Sequence, residues 1–84
     1  MKLDNQVLAL IAVGAAVAAN CQPCLEKTAA IARQCGAELQ QIAQAIEIGK
    51  QVRQGAANKM DQFAGSQKFA TAGIADKAGV CTCA

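Results

Sequence analysis

Thirteen consecutive residues, Val7 to Ala19, carry neither a charge nor a polar side chain, and a chain with such a stretch has to hide it somewhere. A bilayer is excluded, because a spanning helix needs about 17 to 25 apolar residues. A secretory leader has a core of this length, and Ala18-Ala19-Asn20-Cys21 has some likeness to a lipoprotein cleavage site. Against that, Asp4 stands in what would be a basic leading segment, and Asn20 occupies the place of the small residue expected before the cysteine. The run therefore reads as a helix packed inside a cytoplasmic protein, with no membrane partner.

What packs around it is limited by the remaining residues. Alanine fills 20 of the 84 positions, with two Phe and no Trp or Tyr. Alanine is the best helix former, whereas strands favour β-branched and aromatic residues, so the expected class is all-α. At 84 residues there is room for one small domain, and a chain of this size buries only around 60 to 65% of its unfolded surface. With 54% hydrophobic residues, partner subunits are the expected support. The net charge of +2 comes from scattered Lys and Arg, without the basic stripe or stacking aromatics of a nucleic-acid binder. Histidine is absent, which removes imidazole metal ligands and His-based acid–base or triad catalysis.

Three helices and a tail follow from periodicity and breakers. Leu3, Val7, Leu10, Ile11, Gly14, Val17 and Ala18 recur at helical spacing, giving a first helix from Asp4 to Ala19 with that face turned inward. Gly14 and Ala18 leave a shallow place for another backbone. Asn20 is a good N-cap and Pro23 suits a first turn, so a second helix runs from about Cys21 to Cys35, where Gly36 stops it. Its apolar positions are Cys24, Leu25, Thr28, Ile31, Ala32 and Cys35, the last read as a buried thiol. A third, from Glu38 to about Ala64, carries Leu39, Ile42, Ala45, Ile46, Gly49, Val52, Ala56, Met60 and Phe63 in one stripe, and is long enough to reach beyond its own subunit. Gly49 and Gly55 are places where it bends or admits a neighbour. From residue 65 to residue 84 the pattern weakens, and the segment reads as a loosely structured, flexible C-terminal tail outside the helical domain of residues 1–64.

The chemistry concentrates in Cys21-Gln22-Pro23-Cys24. Two thiols with two residues between them close a small disulfide ring, and a helix start stabilises a thiolate through its free N–H groups and dipole. Three uses stay open on these residues alone: thiol–disulfide exchange, half of a metal site, or inert packing. Glu26, the nearest carboxylate, is placed to serve the electrostatics of the first turn.

The stretch from Ala15 to Glu26 around the two cysteines, with Cys35-Gly36-Ala37-Glu38, the segment Ile42 to Lys50, and Arg53-Gln54-Gly55-Ala56-Ala57-Asn58-Lys59-Met60-Asp61, resembles a short member of the carboxymuconolactone decarboxylase, or AhpD-like (alkylhydroperoxidase D-like), family. The likeness covers about residues 5 to 64. It implies a small all-helical domain, obligate homo-oligomers built as a hexamer or another multiple of a trimer, and an antioxidant peroxide or disulfide chemistry that needs no cofactor beyond a dithiol reductant. By the same resemblance Cys24 matches the peroxide-attacking thiol and Cys21 the resolving one. The family pattern also has a His four residues after the second cysteine and a Glu twelve before the first, where this chain has Thr28 and Ala9. General acid–base help is worth roughly 100- to 10,000-fold, so peroxidase turnover is expected to be weak. The decarboxylase branch is disfavoured, for want of histidine and of a visible cationic cluster for a carboxylate substrate.

Cys81-Thr82-Cys83 lies outside the resemblance. An arm carrying two thiols can pass electrons to Cys21 and Cys24. Alternatively, Cys21, Cys24, Cys81 and Cys83 together form a soft all-thiolate site for a zinc or copper(I) ion, or for trivalent arsenic. Incidental thiols are the third reading.

Overall fold

The computed structural model describes residues 2–67, and the tail from residue 68 to residue 84, with Cys81 and Cys83, lies outside the described residues. Three helices account for the described chain: α1 (Asn5–Ala18), α2 (Gln22–Gln34) and α3 (Leu39–Gly65). Asp4 caps α1 as its position suggests, its carboxylate accepting the Val7 N–H at 2.9 Å.

Both interhelical turns use the same closure. At the end of α1 the N–H groups of Asn20 and Cys21 donate to the carbonyls of Val17 and Ala16, and at the end of α2 those of Gly36 and Ala37 donate to Arg33 and Ala32. This paired pattern requires a left-handed residue just past the helix. Gly36 supplies it with φ +93° and Asn20 with φ +59°. The expected N-cap role of Asn20 is thus corrected: the residue is spent on ending α1, and Cys21 caps α2 instead. Helix α3 opens at Glu38, whose N–H donates to the Gln41 side chain at 2.8 Å.

Helix α1 lies between the other two, packing on both while α2 and α3 scarcely meet. Ala9, Val13, Ala32, Ala37 and Ile42 form the buried cluster, with Leu10, Leu25, Ala29, Ala45 and Ile46 against it. The inward face of α1 is therefore Ala9, Val13, Ala16 and Val17. Of the stripe expected inside, Leu3, Val7 and Ile11 are exposed. A helix apolar on every side offers no contrast for periodicity to read, so the choice of face falls to the neighbours. The α1–α3 crossing is close because Gly14 and Gly49 meet there: a Cβ on Gly14 would come 3.1 Å from the Ala45 carbonyl oxygen, and one on Gly49 would collide with the Gly14 carbonyl. Among the described residues, nothing lies within 4 Å of a Cβ built on Gly55.

Beyond Arg53, α3 projects past the other two helices. Residues 51–66 are all exposed, including Val52, Met60 and Phe63. No helix of the described chain is long and apolar enough to cross a membrane.

Candidate functional site

The turn between α1 and α2 builds the site. Because Asn20 reverses the chain, Cys21 takes an extended backbone (φ −106°, ψ 99°) immediately before the helix, and its sulfur falls over the first turn, where it accepts the Cys24 N–H at 3.3 Å. Pro23 has no N–H and sits in that turn at no cost in hydrogen bonding. One turn on, Cys24 presents its own sulfur to Cys21, and the two are joined as a disulfide with Cα atoms 5.2 Å apart. Cys24 is exposed and Cys21 half-buried. The ring is therefore accessible, and an opened ring leaves the Cys21 sulfur next to a backbone donor and the positive end of α2, both of which favour a thiolate.

The neighbours bear on proton transfer. Thr28 donates its hydroxyl proton to the Cys24 carbonyl at 2.8 Å, with the Leu25 carbonyl at 3.3 Å. Ala9 is buried in the core cluster. Neither place offers a proton relay to the pair. Glu26 lies past the first turn of α2, in which no acidic residue is found, so its expected electrostatic role there is corrected. Cys35 caps the other end of α2, about 20 Å along the helix from Cys21; it is a free, half-buried thiol and not a core residue.

Two residues of α3 complete the surroundings and were not singled out from the sequence. The Arg53 guanidinium donates through Nη1 to Asn20 Oδ1 at 3.0 Å and to the Val17 carbonyl at 3.4 Å, tying α3 to the turn that carries Cys21. Arg53 and Lys50 also line a pocket of about 280 Å³ together with Cys21, Leu25 and Ile46. A pair of cations absent from the sequence reading is thus present, both on α3 and brought to Cys21 by the packing of α3 on α1. Its sequence signal is only the i, i+3 spacing of two basic residues on one helix, which is common on solvated faces.

Of the four cysteines considered for a soft-metal site, the structure brings together Cys21 and Cys24, while Cys81 and Cys83 lie outside the described residues. Among the described residues no group of three or more His, Cys, Asp or Glu is placed to hold a metal ion.

An all-helical domain whose accessible paired-cysteine disulfide opens a helix defines a class of small helical thiol proteins. The family model of the carboxymuconolactone decarboxylase family matches residues 1–64, and the chain belongs to that family. Neither the curated proteins nor the solved structures gave a match.

Proposed function

We propose that the protein is a thiol–disulfide oxidoreductase working through Cys21 and Cys24, with weak peroxidase activity. The observation that carries this reading is the position of the accessible disulfide across the first turn of α2, with the Cys24 N–H on the Cys21 sulfur. In the peroxide reaction suggested by family membership, the Cys24 thiolate attacks a peroxide oxygen, the O–O bond breaks and an alcohol or water leaves. The Cys21 thiolate then attacks the resulting sulfenic sulfur, expelling water and forming the disulfide. The two electrons are restored by an external dithiol. Among the described residues, neither Thr28 nor Ala9 supplies the proton that the leaving oxygen takes up, which makes turnover slow while disulfide exchange, needing only a thiolate, is not.

The proposal includes a cytoplasmic homo-oligomer, a hexamer or another multiple of a trimer. Support comes from the outer half of α3, which presents Val52, Met60 and Phe63 to solvent, and from the apolar groove between α1 and α3 lined by Val7, Ile11 and Ile48. The Cys81 and Cys83 thiols are proposed as the internal electron donor to the pair. The chain from Gln67 to Cys81 can extend to roughly 45 Å, more than the roughly 20 Å of helix that separates Gln67 from Arg53.

Alkylation of reduced protein with iodoacetamide across pH tests the reading. One of the two thiols is expected to react with a midpoint below the free-thiol value of about 8.5, and Cys21→Ser and Cys24→Ser variants identify which. Two thiols that stay inert at pH 8 until the protein is unfolded would make the pair structural.

A further inference from the structure

The pocket beside the disulfide has a definite chemistry. Among the described residues it is lined by the apolar Ala16, Val17, Leu25 and Ile46 and by the cations Lys50 and Arg53, with no acidic residue. Arg53 uses only Nη1 on Asn20 and Val17, so Nη2 and Nε have no acceptor among the described residues. Lys50 pairs with Glu47 at 3.4 Å, but both side chains are more than half exposed, and such a pair holds its partners weakly. The other pocket at the start of α2, lined by Pro23, Glu26 and Ala29, has no cation and one carboxylate. A volume of about 280 Å³ falls at the lower edge of ligand sites, roughly 300 to 1,000 Å³, and suits a small molecule.

We infer that this pocket selects small organic disulfides that carry a carboxylate on an apolar body, with Lys50 and Arg53 holding the carboxylate while the disulfide meets Cys21. This rests on the redox reading of the pair and names its substrate class. The reduced protein performs the step. The Cys21 thiolate attacks the nearer substrate sulfur, a bond forms between them, the substrate S–S bond breaks, and the outer half leaves as a thiolate with the electron pair. Cys24 then gives its proton to solvent and attacks the Cys21 sulfur, displacing the second half as a thiolate. Two electrons pass from the cysteine pair to the substrate, and the Cys21–Cys24 disulfide is restored. Cys21 is the attacking thiol here because it, and not Cys24, lines the pocket.

Two chromogenic disulfides separate charge recognition from thiol reactivity: the dianionic 5,5′-dithiobis(2-nitrobenzoate) and the neutral 4,4′-dithiodipyridine. Full-length protein with Cys35, Cys81 and Cys83 changed to Ser, so that the pair holds the remaining thiols, is reduced with a phosphine, desalted, and mixed with each probe in a stopped-flow spectrometer at low salt. Lys50→Gln is expected to slow the anionic probe roughly three- to tenfold, as loss of one nearby charge in partly screened surroundings implies, while the neutral probe stays within about twofold. Arg53→Lys, which keeps the charge, should retain most of the anionic rate, and high salt should erase the preference for the anionic probe. Lys59→Gln, far out on α3, controls for net charge. If Lys50→Gln slows both probes equally or neither, or if Lys59→Gln matches it, the pocket does not read charge and the inference fails while the redox reading stands. A wild-type pair that reduces neither probe overturns the redox reading and the inference together.

Discussion

The close α1–α3 crossing makes Gly49→Ala the sharpest test of how the site is held. In an exposed helix interior this change is favourable, since alanine is preferred to glycine by about 0.8 to 1 kcal/mol. Gly49 is buried against α1, where the new methyl would collide with the Gly14 carbonyl oxygen, lie 2.8 Å from the Val17 Cβ and come 3.2 Å from the Gly14 carbonyl carbon. Two of those three atoms are backbone and cannot swing away, so α3 must move off α1. Overpacking of this kind costs typically 1 to 3 kcal/mol, and a clash with backbone belongs at the upper end. Subtracting the gain in propensity leaves a net loss of about 1 to 2 kcal/mol. At about 4 to 8 °C per kcal/mol for a domain of this size, thermal unfolding followed by circular dichroism should shift down by roughly 5 to 15 °C. Gly55→Ala provides the contrast: none of the described residues lies within 4 Å of its new methyl, so the same substitution there should raise stability by about 0.5 to 1 kcal/mol. The crossing also positions the pocket, because Arg53 reaches Asn20 from the next turn of α3. Gly49→Ala should therefore lose part of the preference for the anionic disulfide probe. A Gly49→Ala protein as stable as the wild type would refute the packing argument.

Thr28→His, at a partly exposed position whose hydroxyl bonds only to its own helix, should fold normally and raise peroxide turnover, measured by coupled dithiol consumption. Ala9→Glu should instead lower the unfolding midpoint in urea, because Ala9 is 7% exposed and an unpaired buried carboxylate is costly; a Glu tolerated there would contradict the core assignment. Light scattering at micromolar concentration should report a multiple of three subunits, and a stable monomer of 8.6 kDa would refute the assembly proposal. Ending the chain at Gly79 should slow reduction of the Cys21–Cys24 disulfide by an external dithiol. Zinc or copper(I) in the purified full-length protein that disappears on this truncation would favour the soft-metal reading, and no change in either measure would make Cys81 and Cys83 incidental.

The helices and their ends were legible in the sequence because their causes are local. Asp4, Pro23, Gly36 and Glu38 act on backbone groups within a turn of themselves, and the three helices begin and end within a residue or two of the places these signals mark. The paired cysteines were legible for the same reason: a spacing of three at a helix start brings the two sulfurs together whatever the rest of the chain does. The inward face of α1 was not, since thirteen apolar residues carry no information about direction until two other helices compete for them. The N-cap of α2 was misread because Asn20 satisfies two local rules at once, capping a helix or ending one left-handed, and the closure onto Ala16 and Val17 decides between them. Lys50 and Arg53 acquired meaning only when α3 crossed α1 closely enough, through Gly14 and Gly49, for a guanidinium to reach Asn20. Local hydrogen bonding and side-chain spacing thus determined the helices and the disulfide, while the partner of each apolar face, and the cations that accompany Cys21, depend on distances between segments remote in sequence, which only the packed structure sets.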